Sequence, residues 1–186
     1  MNYNLILVGS DLNYTQELST SMIETTEFTN IISIYDIRRQ FNTSKFSTEF
    51  YSQAMLYESI ENSTDKNNII VLGDMFNFKQ NYILDYRYIL PRTKFYLCVI
   101  DTDYDEYKNN FIKELTHRRK FRVPKNKLRT EPIDEGIFNH KIVSLKYEMS
   151  IKTIVIKKSD DIYTNINKIN EFCIDNKITE GKTNDK

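Results

Sequence analysis

The sequence has few of the residues on which several common kinds of site depend. It contains no tryptophan and, among 186 residues, only two histidines and two cysteines. Cys98 and Cys173 lie far apart without a CxxC or histidine neighbour, so we expect two buried apolar side chains and no disulfide. His117 and His140 lack cysteine or carboxylate partners at ligand spacing, which argues against a structural zinc site or a catalytic triad.

Long apolar runs and an excess of one charge are also absent. No stretch approaches eighteen consecutive apolar residues, and no basic region precedes the first apolar run. The sequence therefore predicts neither a membrane span nor a secretion signal, and we expect a cytoplasmic protein without a membrane partner. Basic and acidic residues both number 26, so net charge provides no overall attraction to nucleic acid or membranes.

Glycine and proline are scarce, and the apolar residues form short runs that alternate with segments of helical spacing. This alternation predicts an α/β fold: a five-stranded, mainly parallel sheet flanked by helices, in one domain over residues 1–178 with a flexible tail at 179–186. The predicted strands are residues 3–8, 30–35, 69–73, 94–100 and 151–156. The predicted helices are residues 12–24, 47–61, 82–90 before Pro91, a helix behind Asp103 with Tyr107, Phe111 and Leu115 inward, and 162–173.

Local signals refine these helices. Ser10 or Asp11 can cap the first helix, and Asp103 with Glu106 three residues later predicts a capping box. Pro124 and Pro132 argue against regular helix in the region around them. The helix over 47–61 is predicted to carry three residues on one face: Phe50, Ala54 and Tyr57.

The connection after the first strand has the frame of a phosphate-binding loop. A strand, a turn at Gly9 and a helix would place such a loop there, and it would require a second glycine, then lysine, then serine or threonine. Those positions hold Tyr14, Thr15 and Gln16. We call Gly9, Tyr14, Thr15 and Gln16 the phosphate-loop remnant, because the backbone frame is predicted but the chemical groups are not.

Charged residues mark two further places. Asp36, Arg38 and Arg39 follow the second predicted strand, at the sheet edge where open α/β sheets bind ligands. A basic segment over residues 117–129 contains no acidic residue. That segment could clamp phosphate, bind nucleic acid, dock an acidic protein surface, or form a solvated loop. Its basic residues are Arg118, Arg119, Lys120, Arg122, Lys125, Lys127 and Arg129.

With these landmarks, the chain resembles P-loop nucleotide and polynucleotide kinases of the phage type. Three places carry the resemblance: the strand ending at Gly9, Asp36 with Arg38 and Arg39, and Arg118-Arg119-Lys120-Phe121-Arg122-Val123-Pro124 with Leu128-Arg129. A weaker match covers Asp74 to Asn77. The resemblance implies a three-layer sandwich in which, in an active kinase, Asp36, Arg39 and Arg122 would be catalytic and ATP and magnesium would be cofactors.

The phosphate-loop remnant departs from that family, since Thr15 and Gln16 replace the lysine that would hold phosphate and the hydroxyl residue that would hold magnesium. The first hypothesis is therefore a kinase-like scaffold without catalysis, cofactor or metal, which binds a protein with an acidic surface. A composition rich in Asn, Ile, Lys and Tyr indicates an AT-rich genome, and a phage protein that modulates a host enzyme of transcription or replication, such as the RNA polymerase sigma subunit, is the expected class. The alternatives are an active nucleoside or polynucleotide 5′-kinase, and a nucleic-acid-binding module that uses residues 117–129.

Overall fold

Five parallel strands form the central sheet in the order β2-β3-β1-β4-β5. The computed structural model describes residues 2–9, 11–41, 46–73, 94–120, 131–147 and 151–181. The strands are β1 (Tyr3–Gly9), β2 (Asn30–Ser33), β3 (Asn68–Gly73), β4 (Lys94–Asp101) and β5 (Thr153–Lys157). The helices are α1 (Leu12–Thr25), α2 (Ile34–Arg39), α3 (Phe46–Glu61), α4 (Tyr104–Lys120), α5 (Glu135–Tyr147) and α6 (Ile162–Gly181).

The two faces of the sheet carry separate apolar cores. Alternate residues of β1 face opposite sides, so Ile6 and Val8 belong to what we call the first core, while Leu5 and Leu7 belong to the second core. Helices α2, α3, α4 and α5 contribute to the first core, and α1 and α6 contribute to the second. The protein is thus a three-layer α/β sandwich, and the predicted fold class is confirmed. Because both faces are covered, its strands read as continuous apolar runs.

The strand order explains which face each helix covers. From β1 to β2 the chain crosses the sheet in one direction, and α1 lies on the second core. From β2 to β3 and from β4 to β5 it crosses in the opposite direction, and the connecting helices lie on the first core. When all crossover connections have the same handedness, connections that run in opposite directions along the sheet must place their helices on opposite faces.

Buried asparagines join three strands near their amino ends. Asn68 is register partner of both Asn4 and Asn30, and Asn68 and Asn4 are fully buried. The Asn68 Nδ2 donates to Asn4 Oδ1 at 2.7 Å and to the Ser63 carbonyl at 2.9 Å, while Asn68 Oδ1 accepts from Asn30 Nδ2 at 2.9 Å. A one-residue slip would move these amides into apolar surroundings, so the network specifies the register of β2, β3 and β1.

The second strand is shorter than predicted. The prediction extended it to Tyr35, but β2 ends at Ser33 and α2 begins at Ile34. Ile34 and Ile37, three residues apart, are both buried on one side of this short helix. An apolar run of this length does not distinguish strand from helix by periodicity, which explains the error.

The helices also differ from the prediction in two places. Of the face predicted for α3, Tyr57 packs partly against the first core, Ala54 is exposed, and Phe50 lies outside the described side chains. The fully buried residues of this helix are Ser52, Leu56 and Ile60. Helix α5 was not predicted. Asp134 caps it by accepting from the Gly136 N–H at 2.8 Å, and Phe138 anchors it against Tyr107 with ring centroids 4.9 Å apart. Pro132 precedes the helix, so this proline does not interrupt it.

Other predictions are confirmed or fall outside the described residues. Strands β1, β3, β4 and β5 and helix α1 lie within a few residues of their predicted bounds, α6 begins at Ile162 as predicted, and Cys98 and Cys173 are buried and free. Tyr107 is buried and Phe111 packs partly against the core, as predicted. Helix α6 continues to Gly181, into the segment predicted as a tail. The predicted helix at 82–90, the match at 74–77 and residues 182–186 lie outside the described residues.

Candidate functional site

The connection from β1 to α1 is short. Strand β1 ends at Gly9 and α1 begins at Leu12, so two residues join them. Tyr14, Thr15 and Gln16 are therefore the third to fifth residues of α1 and do not belong to a loop. A Cβ atom on Gly9 would lie 3.0 Å from the Cβ of Ile100, so the backbone here approaches β4 closely.

The amino end of α1 already holds an anion, the side chain of Asp11. Its Oδ1 accepts from the backbone N–H groups of Asn13 at 2.9 Å and Tyr14 at 3.2 Å. The Thr15 hydroxyl donates to the Asp11 carbonyl at 2.7 Å. The free amides and the dipole of a helix start favour negative charge, and in α1 the chain supplies that charge itself.

Lys158, in the turn after β5, completes an ion cluster with two carboxylates. Its Nζ lies 2.5 Å from Asp11 Oδ2 and also contacts Glu106 Oε1, in the first turn of α4. The side chains of Asp11, Lys158 and Glu106 are only 15%, 22% and 31% exposed. We call these three residues the ion cluster.

The cluster changes the ionisation of Asp11. Burial alone would raise the pKa of its carboxyl group, but the hydrogen bond from Lys158 and those from the Tyr14 and Asn13 amides act in the opposite direction. The net effect lowers the pKa of Asp11 below its ordinary value. Asp11 is therefore held in its charged form beside Lys158.

The same contacts correct the predicted capping box. Asp103 does cap α4, since its Oδ1 accepts from the Glu106 N–H at 2.7 Å. The reciprocal half would require the Glu106 side chain to return to Asp103, but that side chain contacts Lys158 instead. An ion pair with a residue 52 positions away has replaced a local backbone contact.

Tyr14 is fixed beside the ion cluster. Its hydroxyl accepts from Asn165 Nδ2 at 2.9 Å, and the same fully buried amide donates to the Lys157 carbonyl at 2.7 Å. The Lys158 Nζ lies 5.8 Å from the centre of the Tyr14 ring. Burial raises the pKa of Tyr14, although the Asn165 bond opposes the shift. The ring therefore occupies space next to the amino end of α1 as a neutral, anchored group.

A cleft of about 530 Å³ opens beside the cluster, at the carboxyl ends of β4 and β5. Burial raises the pKa of Asp101 in this cleft, and Lys157 partly opposes the shift. In the described part of the chain, no three His, Cys, Asp or Glu side chains are grouped to hold a metal ion. The cleft is lined by Asp101, Thr102, Asp103, Tyr104, Glu106, Glu135, Phe138, Asn139, Lys157, Lys158 and Ser159.

Asp36 and Arg39, predicted as catalytic in an active kinase, form a surface pair within α2. Their side chains are 60% and 68% exposed, and Arg39 Nη1 lies 3.1 Å from Asp36 Oδ1. The Arg38 guanidinium lies 5.8 Å from the centre of the Tyr35 ring. Neither Asp36 nor Arg39 belongs to the ion cluster, and an exposed pair of this kind contributes little stability.

The basic segment begins in a helix. The backbone of Arg118, Arg119 and Lys120 forms the last turn of α4, while the predicted residues Arg122, Lys125, Lys127 and Arg129 lie outside the described residues. Among the described helices, none combines the length and apolar character that a membrane span requires.

Sequence reasoning missed Lys158, which organises the site. One signal was available: Lys157 and Lys158 directly follow the fifth predicted strand, and the same reasoning singled out Asp36 after the second. The pairing itself gave no signal, because Asp11 and Lys158 are 147 residues apart.

No protein-family model and no curated protein matches this chain. Solved structures do match it. A sugar kinase from Janibacter sp. superposes with a TM-score of 0.57 and 11% identity over 93% of this chain and 95% of that one. A protein of Chloroflexus aurantiacus described as a presumed kinase gives 0.58 and 9% over 92% and 98%. A gluconokinase from Sinorhizobium meliloti gives 0.54 and 8% over 91% and 90%. The chain therefore has a P-loop kinase-like fold.

Proposed function

We propose that this kinase-like scaffold acts by binding another protein and does not transfer phosphate. The observation that carries the proposal is the Asp11 carboxylate on the first amides of α1, paired with Lys158. A kinase of this fold needs those amides for the phosphates of its nucleotide. Here they have an internal partner.

The other groups near α1 support the same conclusion. Phosphoryl transfer on such a scaffold uses a lysine for the phosphate charge and a hydroxyl for magnesium. Lys158 approaches α1, but it is engaged with both Asp11 and Glu106. The Thr15 hydroxyl donates to the backbone carbonyl of Asp11. Its oxygen would lie 3.4 Å from a Cβ atom placed on Gly9.

The proposed partner is a protein with an acidic surface. The support is the basic segment, with seven lysines and arginines between residues 118 and 129 and no acidic residue. Such a segment speeds association with an acidic surface and orients it. We further propose a phage protein whose partner is a host enzyme of transcription or replication, for which the sigma subunit of RNA polymerase is one example.

A comparison of charge variants tests the binding proposal. The tagged protein and the variant Arg122→Ser/Lys125→Ser are used to capture partners from a lysate of the host. The control is Lys66→Ser/Lys113→Ser, which removes the same charge at two exposed positions outside the segment. We expect one partner that binds the wild type and the control but not the first variant. No partner above background, or equal capture by both variants, would contradict the proposal.

Two titrations separate the alternatives. An active kinase would bind ATP with magnesium, and its turnover would fall in Asp36→Ala and Arg122→Ala. We expect calorimetry to show no heat of ATP binding at millimolar nucleotide.

A nucleic-acid-binding module would lose DNA affinity steeply as salt increases. We expect no such binding, and a steep salt slope would favour that alternative.

A further inference from the structure

The ion cluster joins three connections that leave the same edge of the sheet. Asp11 follows β1, Glu106 lies in the first helical turn after β4, and Lys158 follows β5. Its two contacts span 147 and 52 residues of sequence. The cluster is therefore a long-range closure of this edge, and a helix cap alone would not require Lys158 or Glu106.

The contacts of Asp11 are those that an inorganic phosphoanion would make. One of its oxygens accepts from two backbone amides, those of Asn13 and Tyr14, and the other accepts from the Lys158 ammonium. Amides at a helix start and a lysine ammonium are donors that bind phosphate oxygens. A phosphoanion arriving here would have to displace Asp11, and would meet the negative charge of Glu106 beside the same lysine.

We propose that the ion cluster is an autoinhibitory closure: Asp11 occupies the anion position of α1, and together with Glu106 it retains Lys158, so that phosphoanions are excluded. The ring of Tyr14, which Asn165 anchors, lies beside Lys158 and occupies space next to the amino end of α1. This inference rests on the proposed function and deepens it, because it names the groups that keep phosphate from the scaffold.

Removing the Asp11 charge should open the site. Serine at this position keeps a side-chain acceptor for the α1 amides but leaves Lys158 with Glu106 alone. The probe is pyrophosphate, titrated into the full chain and followed through the NMR amide signals of Asn13 and Tyr14. We expect Asp11→Ser to bind pyrophosphate about tenfold or more tightly than the wild type. In Asp11→Ser/Lys158→Met the gain should disappear, because the lysine that binds phosphate is gone.

The control removes a similar charge nearby without touching the cluster. Asp105→Ser changes an acidic residue in the first turn of α4, where Asp105 is 84% exposed and pairs with Lys108. This variant should bind pyrophosphate as weakly as the wild type does. Equal gains in Asp105→Ser and Asp11→Ser would show a general charge effect and would overturn the proposal.

Two further outcomes would also overturn it: a wild-type protein that binds pyrophosphate at these amides, or a folded Asp11→Ser that gains no affinity. If Asp11→Ser shows no cooperative melting, Asp11→Asn replaces it, since asparagine caps a helix well and lacks the charge. Failure of Asp11→Asn to gain affinity then overturns the closure. Failure of the proposed function is a separate result, because it requires phosphate transfer from ATP or the absence of a protein partner.

Discussion

Replacing Asn68 by alanine should cause a large loss of stability for a single polar substitution. The side chain is fully buried and makes hydrogen bonds to Asn4, Ser63 and Asn30 that hold three strands in register. Alanine removes all of them and leaves the side-chain oxygen Oδ1 of Asn4, a residue only 1% exposed, without this donor. A buried group left unsatisfied costs about 1–3 kcal/mol, and each lost bond about 1 kcal/mol.

With the Asn4 bond counted as the unsatisfied group and the Ser63 and Asn30 bonds at about 1 kcal/mol each, the loss is about 3–5 kcal/mol, against a total of about 5–15 kcal/mol for a typical domain. Urea unfolding monitored by circular dichroism measures it. The midpoint should fall while the slope stays the same, since the folded state keeps its surface. Asn62→Ala, at an exposed position in the turn before β3, is the matched control and should change stability by less than about 0.5 kcal/mol.

A double-mutant cycle separates the network from general packing. Asn4→Ala and Asn68→Ala remove the same 2.7 Å bond, so the double variant should lose about 1–2 kcal/mol less than the sum of the single variants. The reasoning is refuted if Asn68→Ala costs less than about 1 kcal/mol, or if the two effects are additive.

Three further predictions concern the candidate site. Asp11→Asn should be less stable than the wild type at neutral pH, and the gap should close as the pH falls: the pKa of Asp11 is lowered by folding, so its contribution is present above the ordinary value of 3.8 and is lost as the pH falls through the folded value. Urea midpoints between about pH 7 and pH 2.5 measure this, and a constant gap would contradict it. Gly9→Ala should cost about 1–3 kcal/mol in thermal or urea unfolding, because its Cβ would lie 3.0 Å from Ile100 Cβ; an unchanged midpoint would show that β4 can yield. Asp36→Ala should change stability by less than about 0.5 kcal/mol in the same assay, since its ion pair is exposed.

The strands were predictable because a parallel strand covered on both faces is apolar along its length. The run at residues 69–73, for example, lies inside β3. The end of β2 was not predictable in the same way, because Ile34 and Ile37 satisfy both a strand and a helical turn. Helix α5 was missed because the apolar anchor that identifies it, Phe138, packs against the distant Tyr107.

The candidate site was likewise predictable from the sequence only where local residues determine it. The sequence correctly offered Asp11 as a cap for α1, whereas Tyr14, Thr15 and Gln16, which were counted from Gly9 as loop positions, lie within α1. It did not show that the Glu106 side chain turns away from Asp103, since the competing partner, Lys158, is far along the chain. Asp36 was noticed because it follows a strand, but the structure places it in an exposed pair.

The sequence by itself determined the α/β class, the position of most strands, and the presence of Thr15 where a phosphate-binding loop that starts at Gly9 would have its lysine. These properties depend on short stretches of chain, and within such a stretch the spacing and type of the residues are sufficient to predict them. Only the tertiary structure decided that Asp11, Glu106 and Lys158 meet. Parallel strands bring their carboxyl ends to one edge of the sheet regardless of their separation in sequence, and the strand order decides which of those ends are neighbours.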